Sequence, residues 1–108
     1  MNSIMKNPAK LPDLVRRIRE LNELELQQND NRKLLIKLNH FIHMVEEVGE
    51  TTKALRGKND EPLENEAMDT VICALALALL EVDGDIDSLM VIMEKKLDKW
   101  QRRLEEKT

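Results

Sequence analysis

Four acidic side chains form two pairs with the same spacing: Glu47 with Glu50, and Glu66 with Asp69. At about 100° per residue, a helix places both members of such a pair within about 60° of each other on one face. A Glu-x-x-Glu alone is typical of a solvated helix surface, because Glu is a common helix former. Carboxylates that meet in a partly dry site, however, repel one another unless a proton or a cation compensates them.

The chemistry that suits these residues is the binding of a divalent cation. Carboxylate oxygens are hard ligands and favour Mg²⁺, with Mn²⁺ as a possible substitute. Cys and His pairs at zinc spacing are absent from the sequence, which argues against a structural zinc. The second acidic pair continues through Cys73 and Leu77 into an apolar segment, so we expect its carboxylates to lie at the edge of a buried region.

The elements that position these acids are predicted to be helices. Only Phe41 and Trp100 are aromatic, and the apolar residues are mainly Leu, Ile, Met, Ala and Val. This composition favours helices over sheets. Apolar spacing and turn residues predict four helices joined by short connections, which is typical of an antiparallel four-helix bundle. The predicted helices run over about 12–28, 32–56, 63–82 and 86–105.

The faces of these helices predict how they pack. On the second helix, apolar residues from Leu34 to Leu55 recur at steps of three and four and predict a packing seam opposite the acids. The run from Val71 to Leu80 on the third helix is apolar all round, so neighbouring helices must surround it. Three partner helices offer little cover for such a run, and we therefore expect self-association.

Length and composition exclude several classes of protein. The 108 residues fit one domain, 1–108, and 42% hydrophobic with 35% charged residues is typical of a globular chain. A net charge of -4 disfavours nucleic-acid binding. The run from Val71 to Leu80 falls well short of the ~20 residues that cross a bilayer, so we expect no membrane insertion. A single cysteine, Cys73, and no secretory leader predict a cytoplasmic location.

The two acidic pairs in this order carry a family resemblance. The string Glu46-Glu47-Val48-Gly49-Glu50, followed by Glu66-Ala67-Met68-Asp69, resembles the Glu-x-x-Glu and Glu-x-x-Asp signature of the MazG-like, all-α nucleoside triphosphate pyrophosphohydrolases. The similarity covers roughly residues 34–103, including the apolar continuation after Asp69 and a basic last helix.

The resemblance implies a hydrolase that cleaves a nucleoside triphosphate, expected to be a deoxynucleotide, to monophosphate and pyrophosphate in nucleotide-pool house-cleaning. It assigns Mg²⁺ binding to Glu47, Glu50, Glu66 and Asp69. Such an ion neutralises phosphate charge and lowers the pKa of a bound water. Glu46, turned about 100° away from Glu47, is the candidate general base or outer partner of the ligands.

Further residues are candidates for substrate binding. Lys96, Lys99 and Arg103 recur at helical spacing and resemble the basic last helix of the family; the alternative is a solvated basic face that pairs with neighbouring acids. Asp98 replaces an Asn that is frequent in the family. The full candidate sets are Lys53, Lys96, Lys99 and Arg103 for phosphate, and Asn39 and His43, with His40 beside them, for the nucleoside.

Two other functions remain open from the sequence. The first is a helical interaction or regulatory module that binds a partner through its apolar seams, with acids that only solubilise it. The second is a related hydrolase of phosphoribosyl-nucleotides. Proteins similar to the leading family act as homodimers or as dimers of dimers, so we expect a homo-oligomer whose site lies near a subunit contact.

Overall fold

The structure is a computed structural model that describes residues 7–107. Within that range it contains four α-helices and no strands, so the predicted all-α class is confirmed. Every helix end lies within one residue of the predicted position. The helices are α1 (Leu11–Gln28), α2 (Lys33–Leu55), α3 (Leu63–Glu81) and α4 (Ile86–Glu106).

The helix boundaries follow from local turn chemistry. Gly57 takes a φ of 70°, which a residue without Cβ adopts at little cost, and it follows the C-terminal end of α2. The carboxylate of Asp85 accepts a hydrogen bond from the Ser88 N–H at 3.2 Å and caps α4. Arg32 precedes α2 and caps it with no side-chain hydrogen bond.

Helices α2 and α3 form an antiparallel pair. At one end Lys33 on α2 bonds to Asp83, which lies just after α3. Towards the other end the hydroxyl oxygens of Thr51 and Thr70 lie 3.3 Å apart. Because the chain reverses in the short segment between the two helices, the late part of α2 faces the beginning of α3.

The small core lies where α1 and α4 meet α3. Val15 of α1, Leu79 of α3 and Leu89 of α4 are buried together. Asn22 of α1 is also buried, and its Nδ2 donates a hydrogen bond to the Ala76 carbonyl at 3.0 Å. Among the residues described, no helix is long and apolar enough to cross a membrane.

The seam predicted for α2 does not pack within the chain. Leu38, Phe41 and Val45 are each half-exposed or more, whereas Ile36 on the opposite side is fully buried. The side of α2 that carries Glu47 and Thr51 faces α3 instead. On α4, Trp100 is 62% exposed, and Leu89 is the one buried residue of that helix. The radius of gyration is 16.7 Å, above the ~13 Å typical of a chain of about 100 residues.

Candidate metal centre

Three of the four predicted metal ligands lie together where α2 meets α3. Glu47 of α2 and Glu66 and Asp69 of α3 each place a carboxylate oxygen within 4.8 Å of the others. Glu66 is buried at 5% exposure, Glu47 is half-buried and Asp69 is exposed. The site is therefore a cleft with one dry wall and one face open to solvent.

Local hydrogen bonds support the backbone that carries these acids. The Thr51 hydroxyl donates to the Glu47 carbonyl at 2.7 Å, and the Thr70 hydroxyl donates to the Glu66 carbonyl at 3.3 Å. The two hydroxyls also lie within hydrogen-bond distance of each other across the helix pair. A small polar contact between the helices thus fixes the register in which Glu47 faces Glu66.

The fourth predicted ligand, Glu50, lies outside this group of three. Its carboxylate accepts hydrogen bonds from Asn59 Nδ2 at 3.1 Å and from Lys53 Nζ at 3.4 Å. Asn59 comes from the loop between α2 and α3 and had no predicted role. Glu50 is close enough for its charge to help raise the pKa of Glu47.

Glu66 has the largest perturbation in the cluster. Its pKa is raised from 4.5 to about 7, first because its carboxyl shares a hydrogen bond with the Glu61 side chain, and second because it is buried. Charges on Glu61, Glu47 and Asp69 add to the effect. A proton on Glu66 therefore offsets part of the repulsion near neutral pH when no cation does so.

The pKa of Glu47 is raised too, through loss of solvent and then through the charge of Asp69. The charges of Glu47 and Asp69 also act on Cys73, which lies one turn after Asp69 on α3. Burial is the main cause of a raised pKa at Cys73, and these charges contribute. Cys73 thus remains a protonated thiol near neutral pH.

The donor set fits a hard divalent cation. Mg²⁺ holds oxygen ligands at about 2.1 Å, so two ligands on opposite sides of the ion are about 4.2 Å apart. Oxygens that already lie within 4.8 Å of one another need only small side-chain adjustments to satisfy that geometry. Three carboxylates, one of them buried and one half-buried, also provide the charge that such an ion offsets.

A cavity of about 420 Å³ begins one helical turn from the carboxylates. His43 lies four residues before Glu47, and Cys73 lies four residues after Asp69; both line the cavity. Because α2 and α3 are antiparallel, these two steps lead in the same direction. Asn39 and His43, the predicted nucleoside-binding residues, are both in its wall.

The other predicted residues are on open surface. Glu46 is exposed beside Glu47 and contributes to the raised pKa of that neighbour. Lys53 is exposed and bonded to Glu50. The basic residues of α4 are exposed on a helix whose buried contact with the rest of the chain is at Leu89, near its start. These basic residues are Lys96, Lys99 and Arg103.

Two residues that sequence analysis missed belong to this region. Glu61 precedes Pro62, the N-cap of α3. An acid in the short connection between the two acidic helix turns lies close to both of them, and the charge and hydrogen bond of Glu61 act on Glu66. Asn22 continues the Val15 and Ile18 stripe of α1 at helical spacing, which predicts a buried amide. Comparison of the chain with family models, with curated proteins and with solved structures found no match.

Proposed function

We propose that this chain is a MazG-like, Mg²⁺-dependent pyrophosphohydrolase that cleaves a nucleoside triphosphate to monophosphate and pyrophosphate. The observation that carries the proposal is the meeting of Glu47, Glu66 and Asp69 on two helices, with oxygens within 4.8 Å of one another. The sequence resemblance described above rests on these same acids.

Each acid has a distinct part in the proposed reaction. Glu47, Glu66 and Asp69 hold the ion, and Glu50 joins them or orients Glu47. When bound, Mg²⁺ supplies neutralisation of the triphosphate charge and lowers the pKa of a bound water. Glu46, which is exposed at the edge of the site, accepts the proton of the attacking water.

The bond that breaks is the anhydride between the α- and β-phosphates. Oxygen of water forms a new bond to phosphorus, and the leaving oxygen departs with one of the two products. Positive charge stabilises the oxygens of the triphosphate while this happens. Lys53 lies near the site on α2, and the exposed Lys96, Lys99 and Arg103 are available to the active site of a second copy.

We propose a homodimer or a dimer of dimers as the working assembly. Exposed Leu38, Phe41 and Val45 on α2, and exposed Leu97 and Trp100 on α4, are apolar surface of the kind that a subunit contact buries. A second copy seated on these faces would cover the seam that the single chain leaves open. Sedimentation or light scattering should find at least a dimer, and Phe41→Glu should shift it towards monomer.

The decisive assay incubates the chain with common and damaged nucleoside triphosphates, ribo and deoxy, in the presence of Mg²⁺. Release of pyrophosphate and monophosphate from at least one of them is expected in a cytoplasmic house-cleaning enzyme. Asp69→Asn should abolish that release, while Glu64→Gln, an exposed acid on the same helix, should leave it unchanged. Absence of pyrophosphate with every nucleotide would refute the proposal.

A second candidate function is a non-catalytic interaction module. The exposed apolar faces of α2 and α4 support it, because a partner protein would cover them as well as a second copy does. The response to Mg²⁺ separates the two functions. A module predicts no thermal stabilisation by Mg²⁺, whereas the hydrolase predicts a stabilisation that Asp69→Asn removes.

A further inference from the structure

The cavity one turn from the carboxylates has a polar wall that the proposed reaction does not use. His40 of α2 and Asn22 of α1 both line it, and His40 Nε2 lies 2.8 Å from Asn22 Oδ1. His40 is half-buried, whereas Asn22 is 4% exposed. A cavity of about 420 Å³ is in the usual size range for a small-molecule site, about 300 to 1,000 Å³.

The orientation of the Asn22 amide follows from its second partner. The Ala76 carbonyl can only accept a hydrogen bond, so the atom that faces it at 3.0 Å must be the NH₂ group of Asn22. The amide oxygen of Asn22 therefore points at His40. Since that oxygen can also only accept, His40 Nε2 must carry the proton and donate it.

The other ring nitrogen is then left as an acceptor. Burial lowers the pKa of His40, the charge of nearby Glu25 works against this, and the charge of His43 adds to it. In the neutral ring a proton on Nε2 leaves Nδ1 with a free lone pair. Among the described residues the hydrogen bond of His40 is made by Nε2, and no buried side-chain nitrogen or oxygen lacks a partner. An Nδ1 without a partner must therefore be accessible to solvent.

We infer that His40, fixed by Asn22, accepts a hydrogen bond through Nδ1 from a donor group on the nucleoside part of the substrate. This inference rests on the proposed function, because it is the triphosphate at the carboxylates that directs the nucleoside into this cavity. Asn39 and His43 then serve as further walls of the same pocket. Asn22 is a positioning residue that acts through His40.

The donor has two sources on a nucleotide, the sugar hydroxyl and an N–H of the base. Three probes distinguish them: a 2′-deoxynucleoside monophosphate, its 2′,3′-dideoxy analogue and 2-deoxyribose 5-phosphate. The monophosphate is a product of the proposed reaction and needs no turnover to bind. If the donor is the sugar hydroxyl, the dideoxy analogue should not shift the His40 Nδ1 resonance. If the donor is an N–H of the base, 2-deoxyribose 5-phosphate should not shift it.

The first measurement is ¹⁵N NMR of the histidine rings in the full-length protein. The free protein should show His40 with the proton on Nε2, and addition of the monophosphate should shift the Nδ1 resonance as it becomes hydrogen-bonded. A proton on Nδ1 in the free protein would overturn the inference. So would an Nδ1 resonance that no monophosphate shifts, even at millimolar concentration.

The second measurement uses His40→Gln, whose amide keeps a donor for Asn22 but lacks the Nδ1 acceptor. The dissociation constant of the monophosphate, and KM for a hydrolysed triphosphate, should rise about tenfold with the thermal midpoint unchanged. Unchanged constants in a folded variant would overturn the inference and leave the hydrolase proposal intact. If the wild type releases no pyrophosphate, the hydrolase is refuted. Monophosphate binding that His40→Gln weakens would still support the contact with His40, because that binding is measured separately.

Discussion

Acidic residues have opposite surroundings at the two ends of the α2–α3 pair. At one end each acid has a lysine: Lys33 bonds to Asp83 and Lys37 bonds to Glu81. At the other end Glu47, Glu66 and Asp69 gather with no lysine partner among residues 7–107, and Glu61 adds a fourth acid rather than a base. The same two helices thus present a compensated and an uncompensated set of carboxylates.

The pKa values follow this division. Hydrogen bonds and charge from Lys37 and Lys33 hold the pKa values of Glu81 and Asp83 below their ordinary range. Burial and then repulsion raise the pKa of Glu47, and the hydrogen bond with Glu61, burial and repulsion raise that of Glu66. A chain that pairs its acids at one end and collects them at the other leaves the second set to be compensated from outside, by protons or by a cation. Mutations that exchange the properties of the two ends test that interpretation.

The largest effect is expected on catalysis. Asp69→Asn or Glu47→Gln should lower the rate of pyrophosphate release by at least about 100-fold, because removal of even an outer partner of a metal site costs 10- to 100-fold. The matched variant at the other end, Lys37→Gln, should retain the wild-type rate. Steady-state assays of pyrophosphate at saturating Mg²⁺ measure both. Equal losses in the two variants would mean that activity depends on helix packing rather than on the acids.

The second expected effect is on stability, and it is tested by a variant in which a lysine side chain takes the place of the metal ion. Wild-type protein should gain about 2.7 kcal/mol of unfolding free energy when Mg²⁺ is at about 100 times its dissociation constant. Asp69→Lys supplies a fixed cation at an exposed position of the cluster. The variant should melt at a higher temperature than metal-free wild type and should gain nothing from Mg²⁺. Calorimetry with Mg²⁺ and with chelator checks this.

A lower melting temperature for metal-free Asp69→Lys than for metal-free wild type would contradict the interpretation. It would mean that the carboxylates do not repel one another appreciably. Glu64→Lys makes the same charge change on an exposed part of the same helix and controls for net charge.

The third effect is the pH dependence of the metal-free protein. The pKa of Glu66 is about 7 when folded against 4.5 for an ordinary Glu. A raised pKa stabilises the fold fully below the unfolded value, and that contribution is lost as the pH rises through the folded value. Metal-free protein should therefore lose stability between about pH 4.5 and 7. Urea unfolding across this range in chelator measures the slope.

Two variants sharpen this pH test. Glu66→Gln removes the titrating group and should flatten the slope. Glu61→Gln removes the carboxyl partner whose hydrogen bond is the main cause of the raised pKa, so the loss of stability should still begin near pH 4.5 but end at a lower pH than in the wild type. An unchanged profile in both variants would assign the slope to other groups.

The fold was predictable because its signals are local. Gly57 and the turn before Asp85 mark helix ends, and apolar spacing marks the helices between them. The convergence of Glu47, Glu66 and Asp69 was also within reach, since their spacing on two helices joined by a short loop forces them together. The role of Glu50 was less accessible, because its orientation depends on Asn59 in that loop.

The packing of α2 was the part that periodicity could not decide. Leu38 and Phe41 have the spacing of a core seam, yet they lie on the outer side of the helix, and His40 lies on the inner side. An apolar face indicates that it is buried in a contact, but it does not indicate whether the contact is with the same chain or with another. The partnership of His40 with Asn22 was hidden for a related reason, since it joins residues of two separate helices.

The smallest effect is expected at the compensated end. Lys37→Met should lower the melting temperature by a few degrees at most, because the Glu81 side chain is 68% exposed and water screens the pair. The pKa of Glu81 is lowered in the folded state, so the contribution of the pair is present above pH 4.5 and is lost as the pH falls through the folded value. This slope is opposite in sign to that of Glu66. Melting curves across acidic to neutral pH, each at low and high salt, should show the Lys37→Met difference shrink as the pH falls below 4.5 and as salt is added. A difference that changes with neither pH nor salt would assign it to lost packing of the lysine stem instead.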